Sequence, residues 1–155
     1  MSAQRTDFGV ALAIAHVTFQ DDLVRHMAAE GFEGFTARQG AVLRLLGEAP
    51  MSLRGLATRL QMTSPGALKL VATMTAAGLV ERVAEPADRR LRLVRVTDRG
   101  HDAVSVARRF HAAFERDLAE RLGADVVRGA RTVLEDVAAR APAAVPASLR
   151  GDDRP

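Results

Sequence analysis

The chain has 155 residues, enough for one or at most two domains with a buried core. Apolar residues make up 48% and charged residues 26%, the balance of an ordinary globular protein, and no apolar run approaches the roughly 18 residues of a membrane span. The absence of cysteine excludes disulfides, thiolate zinc sites and cysteine nucleophiles. Since no signal-peptide pattern begins the sequence, we expect a cytoplasmic protein with no membrane partner.

The net charge of +3 is unevenly distributed along the chain. Residues 36–100 contain 11 basic and 5 acidic residues and carry a charge of +6, whereas the rest of the chain carries −3. A basic middle segment between acidic flanks favours a polyanionic partner for that segment.

Residues 8–29 have the spacing of a helix with apolar side chains on two faces. The first face carries Phe8, Leu12, Ala15, Phe19, Leu23 and Met27, and the second carries Val10, Ile14, Val17 and Val24. A helix that is apolar on two sides is usually buried on two sides. We therefore expect another subunit to cover one of them.

Capping residues divide the next segment into three short helices. Thr36 and Gln39 have the spacing of a capping box, which begins the first of them. Ser52 precedes the second helix, and either Thr63 or Ser64 caps the third.

The third short helix is predicted to end at residue 77, because Gly78 is a residue typical of helix C-termini. The period then changes, since residues 79–84 and 91–96 are short apolar or β-branched runs. Residues 85–90 between them are polar and include a proline. This pattern predicts a β-hairpin.

Two further helices follow the hairpin. Thr97 caps a long helix predicted to reach about Leu122, where Gly123 breaks it. The last helix keeps apolar residues at spacings of three and four over residues 126–137. From Pro142 onward alanine, proline and aspartate predominate, and we expect a frayed tail.

Three short helices followed by a hairpin form the winged helix-turn-helix arrangement, in which a recognition helix enters the major groove of DNA. Within it, the sequence resembles the MarR family of bacterial transcriptional regulators. The resemblance rests on residues 52–57 (SLRGLA), 64–69 (SPGALK), 78–82 (GLVER), 87–90 (ADRR), 94–97 (VRVT) and Gly100. It extends over almost the whole chain, and the wing residues from 87 to 100 are its most specific part.

The resemblance implies a mainly α fold (α+β) with a two-stranded wing, and a homodimeric regulator, most simply a repressor, on a palindromic operator. It implies a recognition helix over 64–77 in the major groove and a wing over 85–92 at the minor groove. The expected segments are a dimerisation helix (1–35), the winged helix (36–100), C-terminal dimerisation helices (101–140) and a flexible tail (141–155).

The residues expected to contact DNA are Arg54, Arg59, Ser64, Pro65, Gly66, Lys69, Asp88, Arg89, Arg90 and Arg92. Ser64 lies at the start of the recognition helix, where free amide groups favour a phosphate. By resemblance, Arg90 is the residue inserted into the minor groove, and Asp88 is the carboxylate that braces the wing.

The recognition helix departs from the family pattern, because Lys69 is its one charged residue between Ser64 and Ala77. The alternative function is therefore a winged-helix module that binds a protein or a small molecule and has lost operator binding. Family members bind small effectors, often aromatic carboxylates or phenols, between the dimer helices and the DNA-binding lobe. Here His16, Phe19 and Arg38 are the candidates for such a pocket.

Metal and enzyme functions find little support in the sequence. His16 and His26 are ten residues apart, as are His101 and His111, so neither pair shares a helix face as chelating residues at i and i+4 do. No glycine-rich phosphate loop, nucleophile elbow or HExxH motif is present. We expect no cofactor, no metal and no catalytic residue.

Overall fold

The computed structural model describes residues 6–85 and 92–140. In chain order its elements are α1 (Phe8–Ala29), α2 (Ala37–Glu48), β1 (Met51–Ser52), α3 (Leu53–Arg59), α4 (Ser64–Ala76), β2 (Val80–Ala84), β3 (Arg92–Val96), α5 (Asp98–Leu122) and α6 (Ala124–Ala139). The predicted mainly α fold with a small antiparallel sheet is confirmed.

The helices begin where side chains satisfy the free amide groups of the first turn. The capping box is complete, since the Thr36 hydroxyl accepts from the Gln39 amide and the Gln39 side chain accepts from the Thr36 amide. The hydroxyls of Ser52 and Thr97 cap α3 and α5 by accepting from the amide three residues later, without the reciprocal bond. Of the two candidates for the cap of α4, the structure selects Thr63, whose hydroxyl accepts from the amide of residue 66.

The sheet has three antiparallel strands in the order β1-β3-β2, one more than the hairpin predicted from the sequence. The hairpin strands pair from Val80 with Val96 to Ala84 with Arg92. The additional strand is only two residues long and pairs Met51 with Val94. A strand that short has no periodicity of its own, so the sequence pattern could not indicate it.

The core lies where α1, α2, α4 and the start of α5 meet the sheet. Its fully buried side chains come from all parts of the winged helix and from the end of α1: Met27, Val42, Leu43, Leu45, Leu56, Val71, Met74, Val80 and Val94. Burial of this contiguous cluster removes apolar surface from water and holds α4 rigidly against the sheet.

Helices α1 and α6 keep large apolar side chains outside this core. On α1, only Leu23 and Met27 are buried, and the row that includes Val10, Ile14 and Val17 is exposed, with Ile14 57% exposed. All of α6 is described, and none of its residues is buried, although it carries Val126, Val133, Leu134 and Val137. The second apolar face predicted for the first helix is therefore not covered by any of the residues that the structure describes.

Candidate nucleic-acid interface

Helix α4 follows α3 in a helix-turn-helix and is fixed to the core by one face. Ala67, Val71 and Met74 are buried on that face, which leaves the opposite side of α4 open to solvent. The helix ends at Ala76 rather than at the predicted residue 77, and Gly78 follows in the left-handed conformation with φ 70°. One face is thus anchored and the other is free to enter a groove.

The predicted contact residues of α3 and α4 are mostly accessible to solvent. Ser64, Pro65 and Lys69 are exposed within the first two turns of α4, and residue 66 is half-buried. Arg54 is exposed on α3. Arg54, Lys69 and the amide groups at the N-terminus of α4 each contribute positive charge or partial charge to this part of the protein.

Arg59 has a carboxylate close to it. Its Nη2 lies 3.6 Å from Oε2 of Glu48, and both side chains are about half exposed. Exposed ion pairs of this kind contribute little free energy, so the guanidinium can exchange the carboxylate for a phosphate.

The described part of the wing also carries charge. Arg92 is exposed at the first position of β3. Arg95 donates to Oε1 of Glu81 on the neighbouring strand, an ion pair that crosses the hairpin between β2 and β3. The tip residues Asp88, Arg89 and Arg90 lie outside the described residues, so their roles stay predictions.

A brace between α5 and the end of α4 fixes the recognition helix. Thr97 donates from its hydroxyl to the Gly78 carbonyl at 2.5 Å and from its amide to the Leu79 carbonyl at 3.2 Å. Gly100 packs so closely on this turn that a β-carbon there would lie 2.2 Å from the Leu79 oxygen. Residue 100 belongs to the wing signature, and this contact explains why glycine stands there.

Arg99 extends the brace to the end of α1. Its Nε donates to the Ala77 carbonyl at 3.1 Å and its Nη2 to the Gly31 carbonyl at 2.7 Å. The guanidinium also lies 4.7 Å from the centroid of the Phe32 ring, within range of a cation–π interaction. Arg99 was not predicted as a functional residue, and the one feature of the sequence that could have indicated it is its place between Thr97 and Gly100.

An aromatic cluster joins α1 to α5. Phe19 lies 5.5 Å from Phe110, 5.2 Å from His111 and 5.0 Å from Phe114 between ring centroids, and His26 lies 5.3 Å from Phe110. Of the three residues expected to line an effector pocket, Phe19 is half-buried in this cluster.

The other two predicted pocket residues, His16 and Arg38, are exposed. Partial burial lowers the pKa of His111 below its usual 6.5, and the nearby charge of Arg44 lowers it further. His111 is therefore neutral at pH 7.

The described residues contain no group of three or more His, Asp or Glu side chains placed to hold a metal ion. Within the same ranges, no helix is long and apolar enough to cross a bilayer.

The fold and the exposed helix define a winged helix-turn-helix protein of the DNA-binding type. A family model described as MarR family matches residues 33–91, and a search of curated proteins finds no match. Over residues 33–91, the chain is similar to the MarR family of winged-helix transcriptional regulators.

Solved structures show the same fold over most of the chain. The YusO protein from Bacillus subtilis is 18% identical, with a TM-score of 0.69 over 87% of this chain and 94% of that one. The transcriptional repressor CouR bound to a 23-mer DNA duplex is 28% identical, with a TM-score of 0.65 over 84% and 92%. CouR from Rhodococcus jostii bound to p-coumaroyl-CoA is 24% identical, with a TM-score of 0.62 over 92% and 99%.

Proposed function

We propose that the chain is a homodimeric, ligand-responsive repressor that binds a palindromic operator. The observation that carries this proposal is the anchored helix α4, on which Ser64 and Lys69 are exposed, as is Arg54 on α3. The similar transcriptional repressor CouR has been solved in complex with a DNA duplex. On this basis α4 lies in the major groove and the wing, residues 85–92, reaches the minor groove.

The dimer is supported by the apolar faces of α1 and α6. Val126 is 57% exposed and Leu134 is 50% exposed on α6, and Ile14 belongs to a similar row on α1. Contiguous apolar surface on two helices is the usual sign of an interface between subunits. Two-fold symmetry then presents two copies of α4 to half-sites about 34–36 Å apart, which requires a palindromic operator.

Affinity in this proposal comes largely from phosphate neutralisation. Arg54, Arg59 and Arg92 contact the backbone with Ser64, and the wing tip adds Arg89 and Arg90. Such contacts position the protein and make binding salt-dependent, whereas base contacts give specificity. Lys69 then supplies a polar base contact from the middle of α4.

The effector site is proposed at the junction of α1, α2 and α5. Phe19 belongs there to an aromatic cluster, and Arg44 places a positive charge close enough to lower the pKa of His111. Rings beside a cation suit an aromatic molecule that carries an anionic group. His16 and Arg38 complete the proposed site, and CouR bound to p-coumaroyl-CoA is consistent with an effector of this kind.

A mobility-shift titration against the DNA upstream of the chain's own gene tests the proposal. We expect a salt-sensitive complex on that DNA, and weaker binding to a scrambled duplex of equal length. Arg90→Ala is expected to lower the slope of log K against log salt by about 0.9 for each subunit. Lys69→Ala is expected to reduce the preference for operator over scrambled DNA by about 1–3 kcal/mol.

Arg116→Ala is the matched control, because Arg116 is an exposed arginine of α5 outside the winged helix. It is expected to bind with the affinity and salt slope of the parent. Failure of the parent to prefer any duplex would refute the proposal and favour a winged-helix module that binds a protein or a small molecule. An unchanged salt slope for Arg90→Ala would show that the wing does not contact DNA.

A further inference from the structure

The open face of α4 is unusually apolar for a helix that binds DNA. Leu68 is 46% exposed and is the one large apolar side chain so exposed among the described residues of the winged helix, 36–85 and 92–100. Ala72 follows one turn later on the same side, since residues four apart are neighbours on a helix surface, and it is also exposed. Beside this pair, Lys69 and Thr73 complete the middle of the face.

The polar side chains of this face have little capacity left to read bases by donating hydrogen bonds. The Thr73 hydroxyl donates to the Lys69 carbonyl at 3.1 Å, and the Thr75 hydroxyl donates to the Val71 carbonyl at 2.8 Å. A hydroxyl has one proton, so both groups have already used theirs within the helix. Within the described chain between 65 and 76, Lys69 is the side chain that keeps free donors.

DNA is the occupant that this face fits, rather than a second copy of the chain. Leu68 is a single large apolar side chain next to a lysine, with Arg54 exposed on the adjoining helix, in a segment of charge +6. A stable protein interface buries at least about 1,000 Å², and the broad apolar faces of this chain are on α1 and α6 instead. The apolar group that the major groove displays is the 5-methyl of thymine.

We propose that Leu68 and Ala72 read thymine 5-methyl groups in each operator half-site and so determine part of the sequence specificity. This inference rests on the proposed function, because it requires α4 to lie in the major groove. A methyl contact distinguishes thymine from cytosine without any hydrogen bond. The sparse charge of α4 is therefore compatible with specific binding.

Deoxyuridine substitution tests the inference, because it removes only the methyl group and leaves base pairing and the polar groove edges unchanged. The operator is first defined by selection from a random duplex library, and each thymine is then replaced in turn. Replacing a single contacted thymine in one half-site is expected to raise the dissociation constant about fourfold, because the buried methyl group is lost. Symmetric replacement in both half-sites is expected to give about 16-fold.

The variant Leu68→Ala assigns the effect to its side chain. It is expected to bind the thymine operator more weakly than the parent and to lose most of its sensitivity to deoxyuridine. Lys69→Ala, a neighbouring change on the same face, is the matched control, since it should weaken binding while keeping the full deoxyuridine effect. Because both residues are exposed, neither variant should unfold the domain.

The possible results separate this inference from the proposed function. If the parent selects and binds an operator but no deoxyuridine replacement weakens it, the methyl inference is overturned and the proposed function stands. The same holds if Leu68→Ala keeps the full deoxyuridine effect, or if the selected half-site contains no thymine. If the parent binds no duplex specifically, both are overturned.

Discussion

Replacing Gly100 by alanine tests the brace that joins α5 to the end of the recognition helix. A β-carbon on residue 100 would lie 2.2 Å from the Leu79 carbonyl oxygen and 2.6 Å from Cγ1 of Val96. Carbon–oxygen contacts of this type are normally at least about 3.3 Å long. The first obstacle is backbone and the second is a strand side chain in the sheet, so the start of α5 has to move by about 1 Å.

The cost follows from what that movement disrupts. Overpacking a buried site costs about 1–3 kcal/mol. The shift also weakens the two hydrogen bonds from Thr97 to the carbonyls of Gly78 and Leu79, each worth about 1 kcal/mol. We expect Gly100→Ala to lower the free energy of unfolding by about 3–5 kcal/mol, or the melting temperature by about 6–20 °C for a chain of 155 residues.

Thermal unfolding followed by circular dichroism measures this, at one fixed protein concentration because a dimer's melting point depends on concentration. Gly47→Ala is the matched control: residue 47 lies in α2, and no heavy atom of the described chain lies within 4 Å of a β-carbon there. The control is expected to be neutral or to gain up to about 1 kcal/mol, as alanine does in a helix. A melting point for Gly100→Ala within 1 °C of the parent would refute this account of the brace.

Three other changes follow from the structure. Leu134→Arg places a charge on the apolar face of α6 and is expected to shift the chain toward a 16.6 kDa monomer in sedimentation equilibrium at micromolar concentration; an unchanged dimer would place the interface elsewhere. Arg99→Met loses the hydrogen bonds to the carbonyls of Gly31 and Ala77 and is expected to cost about 1–2 kcal/mol in urea unfolding, whereas parental stability would show that the brace ends at Thr97. Partial burial, and then the charge of Arg44, lower the pKa of His111 below 6.5 in the folded chain. As the pH falls, His111 is therefore protonated in the unfolded chain before it is protonated in the folded chain. Stability is therefore expected to fall as the pH drops below about 6.5, and less steeply in His111→Gln; equal slopes from pH 8 to 5 would contradict the pKa shift.

The sequence predicted the helix starts well, because capping depends on residues three or four apart. Thr36, Ser52 and Thr97 are each bonded to the amide three residues later, as their spacing indicated. Periodicity likewise indicated that α1 is apolar on two faces. These features depend on local geometry, which a single chain displays directly.

The features that the sequence did not predict depend on residues far apart in the chain. Arg99 reaches a carbonyl 68 positions away, and nothing near it in sequence marks that partner. Strand β1 owes its existence to pairing with β3, more than forty residues later. The apolar character of the open face of α4 could not be predicted from the sequence either. Leu68 and Val71 are both apolar, and only the structure shows that Leu68 is exposed and Val71 is buried.

Sedimentation of the protein with a labelled duplex from upstream of its gene shows whether a dimer of this chain binds an operator. We expect a complex of two chains per duplex, which dissociates as salt is raised and does not form on scrambled DNA at the same protein concentration. A complex with one chain per duplex, or equal binding to both duplexes across the salt series, would contradict this expectation.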